Sequence, residues 1–319
     1  MIFSNMVFCI YLSILQDMKK LVTHGNGFHA DDVTAYAILK EVLTKQGETW
    51  EIIRSRDPEV IATGDIVFDI GDVYDPAINR YDHHQRGKAG TRENGIYYAS
   101  AGLIWKHFGR ELCSNETVWS QIDKGIISEL DAVDNGQNYI GKLLFENTGY
   151  TSLALHVANF ETLEPDQGES PEKILKQFEQ ASEFMRGILT RSIRACEILE
   201  KAFQDASAIY RNSEDKQVII FDKNYSRPTW KRLAEYPEPV FAVYYKKESD
   251  YWKVEAIPLT PIVMDSRKLA PDAWRGLSGE ELQKVSGIPD ATFCHSSGFL
   301  FGAVSLDNAL KMARMALAS

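Results

Sequence analysis

The stretch Asp65-Ile66-Val67-Phe68-Asp69-Ile70-Gly71, followed by Tyr81-Asp82-His83-His84-Gln85, decides the fold of this chain. A continuous apolar run that ends in an acid and a glycine is typical of a buried strand in a parallel sheet. The second stretch places an acid and two imidazoles in one short turn, and these groups are ligands for divalent metals. Taken alone, it is equally compatible with paired histidines on a solvated loop. A metal site therefore requires further donors at neighbouring strand ends.

A second group of donors follows the first predicted strand. Leu21-Val22-Thr23 leads into His24, and His29 and Asp31 follow across a turn that contains two glycines. An apolar stripe at helical spacing comes next. Open α/β sheets use this order of strand, loop and helix to place functional groups at the carboxyl ends of their strands. A loop histidine and an acidic helix cap are the plain alternative.

Three further acids complete the inventory. Asp69 ends the buried strand, where a carboxylate is costly unless a cation or hydrogen bonds compensate it. Asp131 and Asp134 lie near the end of a helix predicted from about Glu116 to Val133, where a carboxylate opposes the helix dipole. Ordinary Asp-Asn-Gly turn chemistry also explains Asp134. Together the donors match a two-metal centre, in which ions about 3.5–4 Å apart clamp the oxygens of a phosphoryl displacement.

The second half of the chain has a different pattern. A long helix with an apolar stripe is predicted from Pro171 to about Phe203, after a polar, proline-containing boundary. Short β-like runs and a final helix follow it. We therefore predict an α/β protein with a mainly parallel-sheet domain over residues 18–170. The long helix and a smaller α/β domain occupy residues 171–319.

Composition restricts the function. Hydrophobic residues make up 44% of the chain and charged residues 25%, as in ordinary soluble proteins. The net charge of −10 argues against a protein that coats long duplex nucleic acid. The four cysteines are scattered without a CxxC pair, which favours a reducing, cytoplasmic setting. We interpret the apolar residues 1–17 as an extension upstream of the fold rather than a membrane anchor.

Seven motifs in order resemble the melanocyte-proliferating-gene-one family, within the DHH phosphoesterase superfamily. They are Thr23–Asp31, Tyr81–Arg86, Ser100–Trp105, Asp131–Gly136, Ala273–Leu277, Val285–Pro289 and His295–Phe299. The resemblance covers Lys20 to Leu317. It implies a mainly parallel-sheet DHH domain followed by a smaller substrate domain. It also implies a metal-dependent hydrolase, since eukaryotic members of the family are described as 3′-to-5′ RNA exonucleases.

The resemblance also implies roles for individual residues. Mn²⁺ is the usual metal, expected as two ions with Mg²⁺ as an alternative. The implied ligands are His24, His29, Asp31, Asp69, His83 and one of Asp131 and Asp134. Asp69 fits the bridging position, and Asp82 and His84 are the expected catalytic residues, His84 facing the scissile phosphate. The family's usual Glu is Asp32 in this chain, which could alter a hydrogen bond behind the metal.

Substrate contacts are expected from both halves of the chain. The loop His295-Ser296-Ser297-Gly298 would hold substrate from the second domain, as the resemblance implies. Arg54 and Arg56 are candidate phosphate ligands, with ordinary salt bridges as the alternative. Arg275 belongs to a locally basic second half, for which a solvated face is the plain alternative.

We therefore predict a divalent-metal-dependent phosphoesterase, a 3′–5′ exonuclease that acts on RNA or short oligonucleotides by metal-activated water. One alternative is a small-phosphate hydrolase that acts on pyrophosphate, cyclic dinucleotides or nanoRNA. Another is a metal- or nucleotide-binding regulator without turnover. The expected partner is the nucleic acid substrate and not a membrane. Assembly into a homo-oligomer stays open.

Overall fold

The computed structural model describes residues 18–137, 151–161, 170–221, 229–260 and 265–319. Contacts divide the chain into two units, the first through Glu197 and the second from Ile198. The extension predicted over residues 1–17 lies outside the described residues. Within the described ranges, every helix is too short or too polar to cross a membrane.

The first unit contains a five-stranded sheet in which four adjacent strands are parallel. Its strands are β1 (Lys19–Thr23), β2 (Trp50–Arg54), β3 (Ile66–Phe68), β4 (Tyr74–Asp75) and β5 (Arg80–Tyr81). Their order is β2-β1-β3-β5-β4, and β4 pairs antiparallel with β5. The predicted α/β class and the parallel arrangement are confirmed. The two-residue strands β4 and β5 fall where the sequence indicated only a turn.

Helices surround this sheet and carry most of its core. They are α1 (Ala30–Gln46), α2 (Pro58–Ala62), α3 (Ser100–Phe108), α4 (Glu116–Ile122), α5 (Ser128–Asp134), α6 (Leu153–Ala158) and α7 (Pro171–Asn212). A π-helical segment, Asp123–Ile127, joins α4 to α5, so the predicted helix near Glu116 is one continuous segment. Helix α1 is buried along nearly its whole length, which explains why apolar side chains occur on more than one of its faces.

The long helix α7 contributes to both units. Phe178 and Met185 belong to the core of the first unit, and Ala206 and Tyr210 pack in a core of the second. The helix continues nine residues beyond the predicted end at Phe203. The division between the units falls inside α7, whereas the sequence prediction assigns the whole helix to the second domain.

The second unit is built on a smaller mixed sheet. Its elements are β6 (Val218–Phe221), β7 (Phe241–Lys246), β8 (Tyr251–Ala256), α8 (Gly279–Ser286), β9 (Ala291–Cys294), β10 (Leu300–Ala303) and α9 (Leu306–Ala318). The strand order is β6-β7-β8-β10-β9, and only β6 and β7 are parallel. Short 3₁₀ turns complete the described elements. They are Pro76–Ile78 and Gly109–Leu112 in the first unit, and Thr229–Glu235 and Asp272–Trp274 in the second. This sheet matches the second α/β layer that the sequence predicted.

The start of α3 packs directly against a carboxylate of α5. The Gly102 N–H donates to Asp131 Oδ1 at 3.0 Å. A Cβ added at Gly102 would lie 2.2 Å from Asp131 Oδ2. Arg92 Nε holds that oxygen at 2.6 Å, so the carboxylate cannot move aside without breaking a buried ion pair. The glycine of the Ser-Ala-Gly motif is therefore required by close approach of two helices.

We expect Gly102→Ala to destabilise the protein by about 1–3 kcal/mol, the usual cost of overpacking. Gly125→Ala is the matched control, because Gly125 is also helical and an added Cβ meets no atom within 4 Å. The control should be neutral or stabilising by up to about 1 kcal/mol through helix propensity. Urea unfolding of both variants measures the difference. Equal effects at the two sites would contradict the packing argument.

Candidate metal centre and its cavity

Asp69 lies immediately after β3 in a backbone conformation that side chains seldom adopt. Its φ is 56°, in the left-handed region, and Gly71 follows with φ 101°. The Asp69 N–H donates to the carbonyl of Tyr81 at 3.3 Å, which ties this turn to the end of β5. Strain of this kind persists where the surrounding structure enforces it, and functional sites are common among such places. The turn brings Asp69 beside the Asp-His-His triplet.

The predicted metal ligands converge in three overlapping groups. In each group, one ligand atom from every member lies within 4.8 Å of the others. The groups are Asp69, Asp82, His83 and His84; His24, His29 and Asp69; and Asp31, His83 and Asp134. Asp69 and His83 each belong to two groups, so the donors form one continuous cluster. The structure therefore brings together residues from four separate segments of the sequence, two of which include the end of a helix.

His83 lies at the centre of the carboxylates. Its Nε2 is 3.1 Å from Asp134 Oδ2, 3.3 Å from Asp69 Oδ1 and 3.9 Å from Asp31 Oδ2. Both ring nitrogens are buried, and neither has a hydrogen-bond partner among the described residues. A buried imidazole without a partner, surrounded by carboxylate oxygens, fits a cation ligand. Imidazole and carboxylate together suit Mn²⁺, and carboxylates suit Mg²⁺.

The electrostatics of the cluster also favour the binding of a cation. Burial raises the pKa of Asp31 well above its usual value, and repulsion from Asp134 and Asp69 adds to this. Burial opposes a charge on His83, but the attraction of the nearby Asp134 and Asp69 carboxylates outweighs it and raises the His83 pKa to about 11. Protons on His83 and on His24, whose pKa is also raised, then offset the crowded carboxylates. A divalent cation can replace these protons and reverse the balance of charge.

Other hydrogen bonds orient these ligands from behind. Asp31 accepts the N–H groups of Ser100 at 2.9 Å and Ala101 at 2.7 Å, at the start of α3. Helix N-termini favour carboxylates in this position. The Ser-Ala-Gly motif thus supports a ligand without being one itself.

Asp82 orients its neighbours through hydrogen bonds in the same way. Its Oδ1 accepts the N–H of His83 at 2.7 Å and lies 2.7 Å from His84 Nδ1, and its Oδ2 accepts the N–H of Asp72 at 2.6 Å. The hydrogen bond with Asp82 raises the pKa of His84. The His84 side chain is 54% exposed. This contact engages Nδ1 and leaves Nε2 of His84 free for a substrate in the cavity.

Asp131 has a different position from the one expected of a metal ligand. It lies outside the three groups, fully buried, with Arg92 Nε at 2.6 Å and the Ala99 N–H at 3.1 Å. Burial raises its pKa to about 7, and Arg92 opposes that rise. Its oxygens are thus committed to Arg92 and to α3. Of the two acids that the sequence left open, the geometry favours Asp134.

Arg54 is also placed differently from the prediction. Its Nη2 donates to the carbonyl of Gly27 at 2.6 Å, and its guanidinium carbon lies 4.6 Å from the Phe178 ring centroid. The side chain is only 7% exposed. A guanidinium held in this way stabilises the loop before α1 and is a poor candidate for a phosphate ligand. Arg56, in contrast, is exposed and lines the cavity of the donor cluster.

Asp32 occupies the position at which the family usually has Glu. Its Oδ1 accepts the N–H of His29 at 2.7 Å, and its Oδ2 lies 3.4 Å from His24 Nε2. Burial raises its pKa to about 7, and His24 opposes that rise. The shorter side chain thus still reaches both histidines of the first loop.

The predicted substrate loop of the second unit forms the turn between β9 and β10. His295, Ser296 and Ser297 are exposed, and His295 Nδ1 accepts the N–H of Ser297 at 3.1 Å. Gly298 has φ 73°, and a Cβ added there would lie 2.6 Å from Arg275 Nε. Arg275 and the loop are therefore neighbours within this unit. Their role in substrate binding stays a prediction.

A cavity of about 740 Å³ in the first unit exposes the cluster. Its polar lining includes His24, His29, Asp31, Asp69, Asp82, His84 and Asp134. Among the described lining residues, Arg56 is the one arginine or lysine.

Two further hydrogen-bond networks were not predicted from the sequence. One joins Arg92 to its acidic partners, and the other is formed by the backbone amides at the start of helix α3. Arg92 lies in a stretch without periodicity, so no local pattern could have indicated its burial.

Comparison with known proteins now decides the family. The model of the MYG1_exonuc family, described as an uncharacterised protein family (UPF0160), matches residues 20–317. The chain belongs to this family. The resemblance that the sequence motifs indicated is thereby confirmed, and it covers nearly the whole chain.

Relatives in the MYG1_exonuc family align over most of their length. The chain is 31% identical to the MYG1 exonuclease of Homo sapiens, over 96% of this chain and 88% of the human protein. It is 31% identical to MYG1 protein C694.04c of Schizosaccharomyces pombe, over 95% and 98%. Among solved structures, RecJ from Thermus thermophilus with Mn²⁺ aligns over 98% of this chain and 54% of that chain. Its TM-score of 0.30 and 13% identity are too low to support an argument.

The overlap of the donor groups predicts how metal binding responds to substitution. We expect two Mn²⁺ ions per chain in the native protein. Asp69→Asn should lower the affinity for both ions at least about 100-fold, because Asp69 belongs to two of the donor groups. Loss of a residue that only hydrogen-bonds to a metal ligand already lowers metal affinity by up to that factor. Asparagine also adopts the left-handed conformation, so the backbone is retained. His29→Ala should lower the affinity for one ion only, since His29 belongs to one donor group.

Isothermal titration calorimetry and Mn²⁺ electron paramagnetic resonance measure these stoichiometries. Tyr97→Ala is a control for an exposed residue of the same unit, and two ions should still bind to it. An Asp69→Asn variant that retains both ions at native affinity would contradict the shared-ligand geometry.

Proposed function

We propose that this protein is a metal-dependent phosphodiesterase that removes nucleotides from the 3′ end of RNA or short oligonucleotides. The observation that carries the proposal is the sharing of Asp69 and His83 between donor groups in one open cavity. Such sharing suits two neighbouring cations. The exonuclease names of the relatives in the family support a nuclease, and the RNA substrate and the direction of cleavage are the finer parts of the proposal.

The chain's own residues have distinct tasks in this proposal. Asp31 and Asp69 are held rigidly, one by α3 amides and the other by its turn, so their oxygens are ready for cations. When bound, two Mn²⁺ ions, or Mg²⁺ in their place, would supply the Lewis acidity that activates water and neutralises phosphate charge. His84 offers Nε2 as a donor to a phosphate oxygen, since Asp82 holds Nδ1. Arg56 adds a positive charge at the edge.

The charge of the protein favours short substrates over long polymers. The net charge is −10, and the described lining contains one guanidinium. Long nucleic acids are held by many basic contacts, which this cavity lacks among its described residues. Short oligonucleotides are therefore our preferred substrates. The substrate role of the second unit's loop and the cytoplasmic location remain parts of the proposal.

The proposal is tested with the full chain loaded with Mn²⁺ and a panel of oligoribonucleotides of two to twenty residues. Labels at the 5′ end should yield a ladder of progressively shorter products, because nucleotides leave from the 3′ end. Activity should fall at least about 100-fold in Asp69→Asn and after chelation of metal. The Ile78→Ala variant, an exposed change outside the cavity, should retain native rates.

Each competing function has its own outcome. Release of phosphate from pyrophosphate without cleavage of any oligonucleotide would replace the nuclease with a small-phosphate hydrolase. Tight nucleotide binding without product in the metal-loaded protein would identify a regulator. Equal activity of Asp69→Asn and the native protein would remove the donor cluster from the mechanism.

A further inference from the structure

The cavity of the donor cluster also has an extensive apolar wall. Five of its lining residues share an aliphatic character and come from the neighbouring helices α5 and α6: Leu130, Val133, Ala154, Leu155 and Ala158. Val133 is 36% exposed and Leu155 is 49% exposed, although both are large hydrophobic residues. A mechanism that involves only cations, water and phosphate does not use this wall.

The wall is built into the fold. Leu130 and Val157 belong to the buried core, and the partly buried Leu153 of α6 packs against it. The Leu153 N–H donates to Glu129 Oε1 of α5 at 3.2 Å, which joins the two helices. Ser152 Oγ accepts the N–H of Leu155 and caps the start of α6. Leu155 is therefore exposed on a helix that is anchored to the core.

The apolar wall is continuous with the donor cluster. Val133 directly precedes Asp134, whose Oδ2 lies 3.1 Å from His83 Nε2. A substrate with its phosphate at the cluster therefore has an uncharged part within reach of the aliphatic side chains. The volume of about 740 Å³ lies in the range that holds drug-sized ligands, and it exceeds what a bare pyrophosphate fills.

The chemistry of the wall defines its occupant. The five side chains are aliphatic, so they can cover a flat, weakly polar face but cannot donate or accept hydrogen bonds. Every nucleobase presents such a face. A site that contacts only this face does not distinguish one base from another. A ribose or a phosphate would lose hydration there without compensation.

From these observations we propose that the wall formed by Leu130, Val133, Ala154, Leu155 and Ala158 is a nucleobase subsite. It binds the base of a nucleotide next to the scissile phosphate through apolar contact, without reading the identity of the base. This inference rests on the proposed function and adds the reason why substrates would be nucleotides rather than simple phosphate esters.

The subsite is tested by a cycle that changes the protein and the substrate together. The protein is native or Leu155→Ala, and the substrate is an RNA trinucleotide, intact or with one base replaced by a stable abasic residue. Each of the three positions is made abasic in turn, so that both nucleotides that flank the scissile phosphate are tested. Leu155→Ala should lower kcat/KM for the intact trinucleotide about tenfold, mainly through KM, as expected for lost apolar contact in a pocket. Against the substrate that lacks the bound base, the same substitution should have little effect.

Three further measurements make the cycle specific. Leu155→Met should restore most of the affinity, because it replaces lost apolar contact without a polar group. Ile78→Ala, which removes an exposed hydrophobic residue outside the cavity, should have no effect on either substrate. Equilibrium binding of an uncleavable trinucleotide analogue that keeps its phosphate charges should show the same coupling as the kinetics.

The outcomes separate the two proposals. If the native protein cleaves the trinucleotide but Leu155→Ala and base removal act additively at all three positions, the nucleobase subsite is wrong and the proposed function stands. If the native protein neither cleaves nor binds any trinucleotide in the presence of Mn²⁺, both proposals are wrong. Coupling at one position supports the subsite and identifies the nucleotide that occupies it.

Discussion

The crowding of buried carboxylates around His83 is the constraint on which the first unit depends. Asp31, Asp69 and Asp134 all have an oxygen within 4 Å of His83 Nε2, and Asp31 and Asp69 are buried. Carboxylates that close repel one another strongly when both are charged, and burial adds to the cost. Among the described residues, the groups of side chains that could hold a metal ion are all found in this one cluster. A cation is the simplest compensation for the repulsion, and the donor atoms are close enough together to hold one.

Two buried acids divide the amide groups at the start of α3 between them. Asp131 accepts from Ala99 and Gly102, and Asp31 accepts from Ser100 and Ala101. Arg92 neutralises Asp131, whereas Asp31 forms no ion pair with an arginine or lysine among the described residues and faces His83 in the cluster at 3.9 Å. The same helix end therefore serves one acid that is structural and one that is free to bind a cation. This division explains why two similar carboxylates have different chemistry.

The sequence predicted the elements that local patterns encode. The buried run before Asp69, the glycine-containing loop at His24 and the helical stripes are all local signals, and the structure has the expected strands and helices there. Contacts between distant segments leave no periodic signal. The interior position of Arg54 depends on Phe178 of α7, and the burial of Asp131 depends on Arg92, so neither could be read from its own neighbourhood. The choice between Asp131 and Asp134 needed the packing of α3 against α5.

If the two proposals hold, the apolar wall and the donor cluster together explain how an acidic protein binds an anionic substrate. A net charge of −10 repels nucleic acid at long range, so affinity has to come from contacts at short range. Under the proposed function, bound cations attract one phosphate and Leu155 with its neighbours holds one base. Both contacts are local, and neither becomes stronger when the chain of nucleotides grows. A site of this design gains nothing from a long polymer, whose additional phosphates only add repulsion, and short oligonucleotides are then the substrates that it binds best.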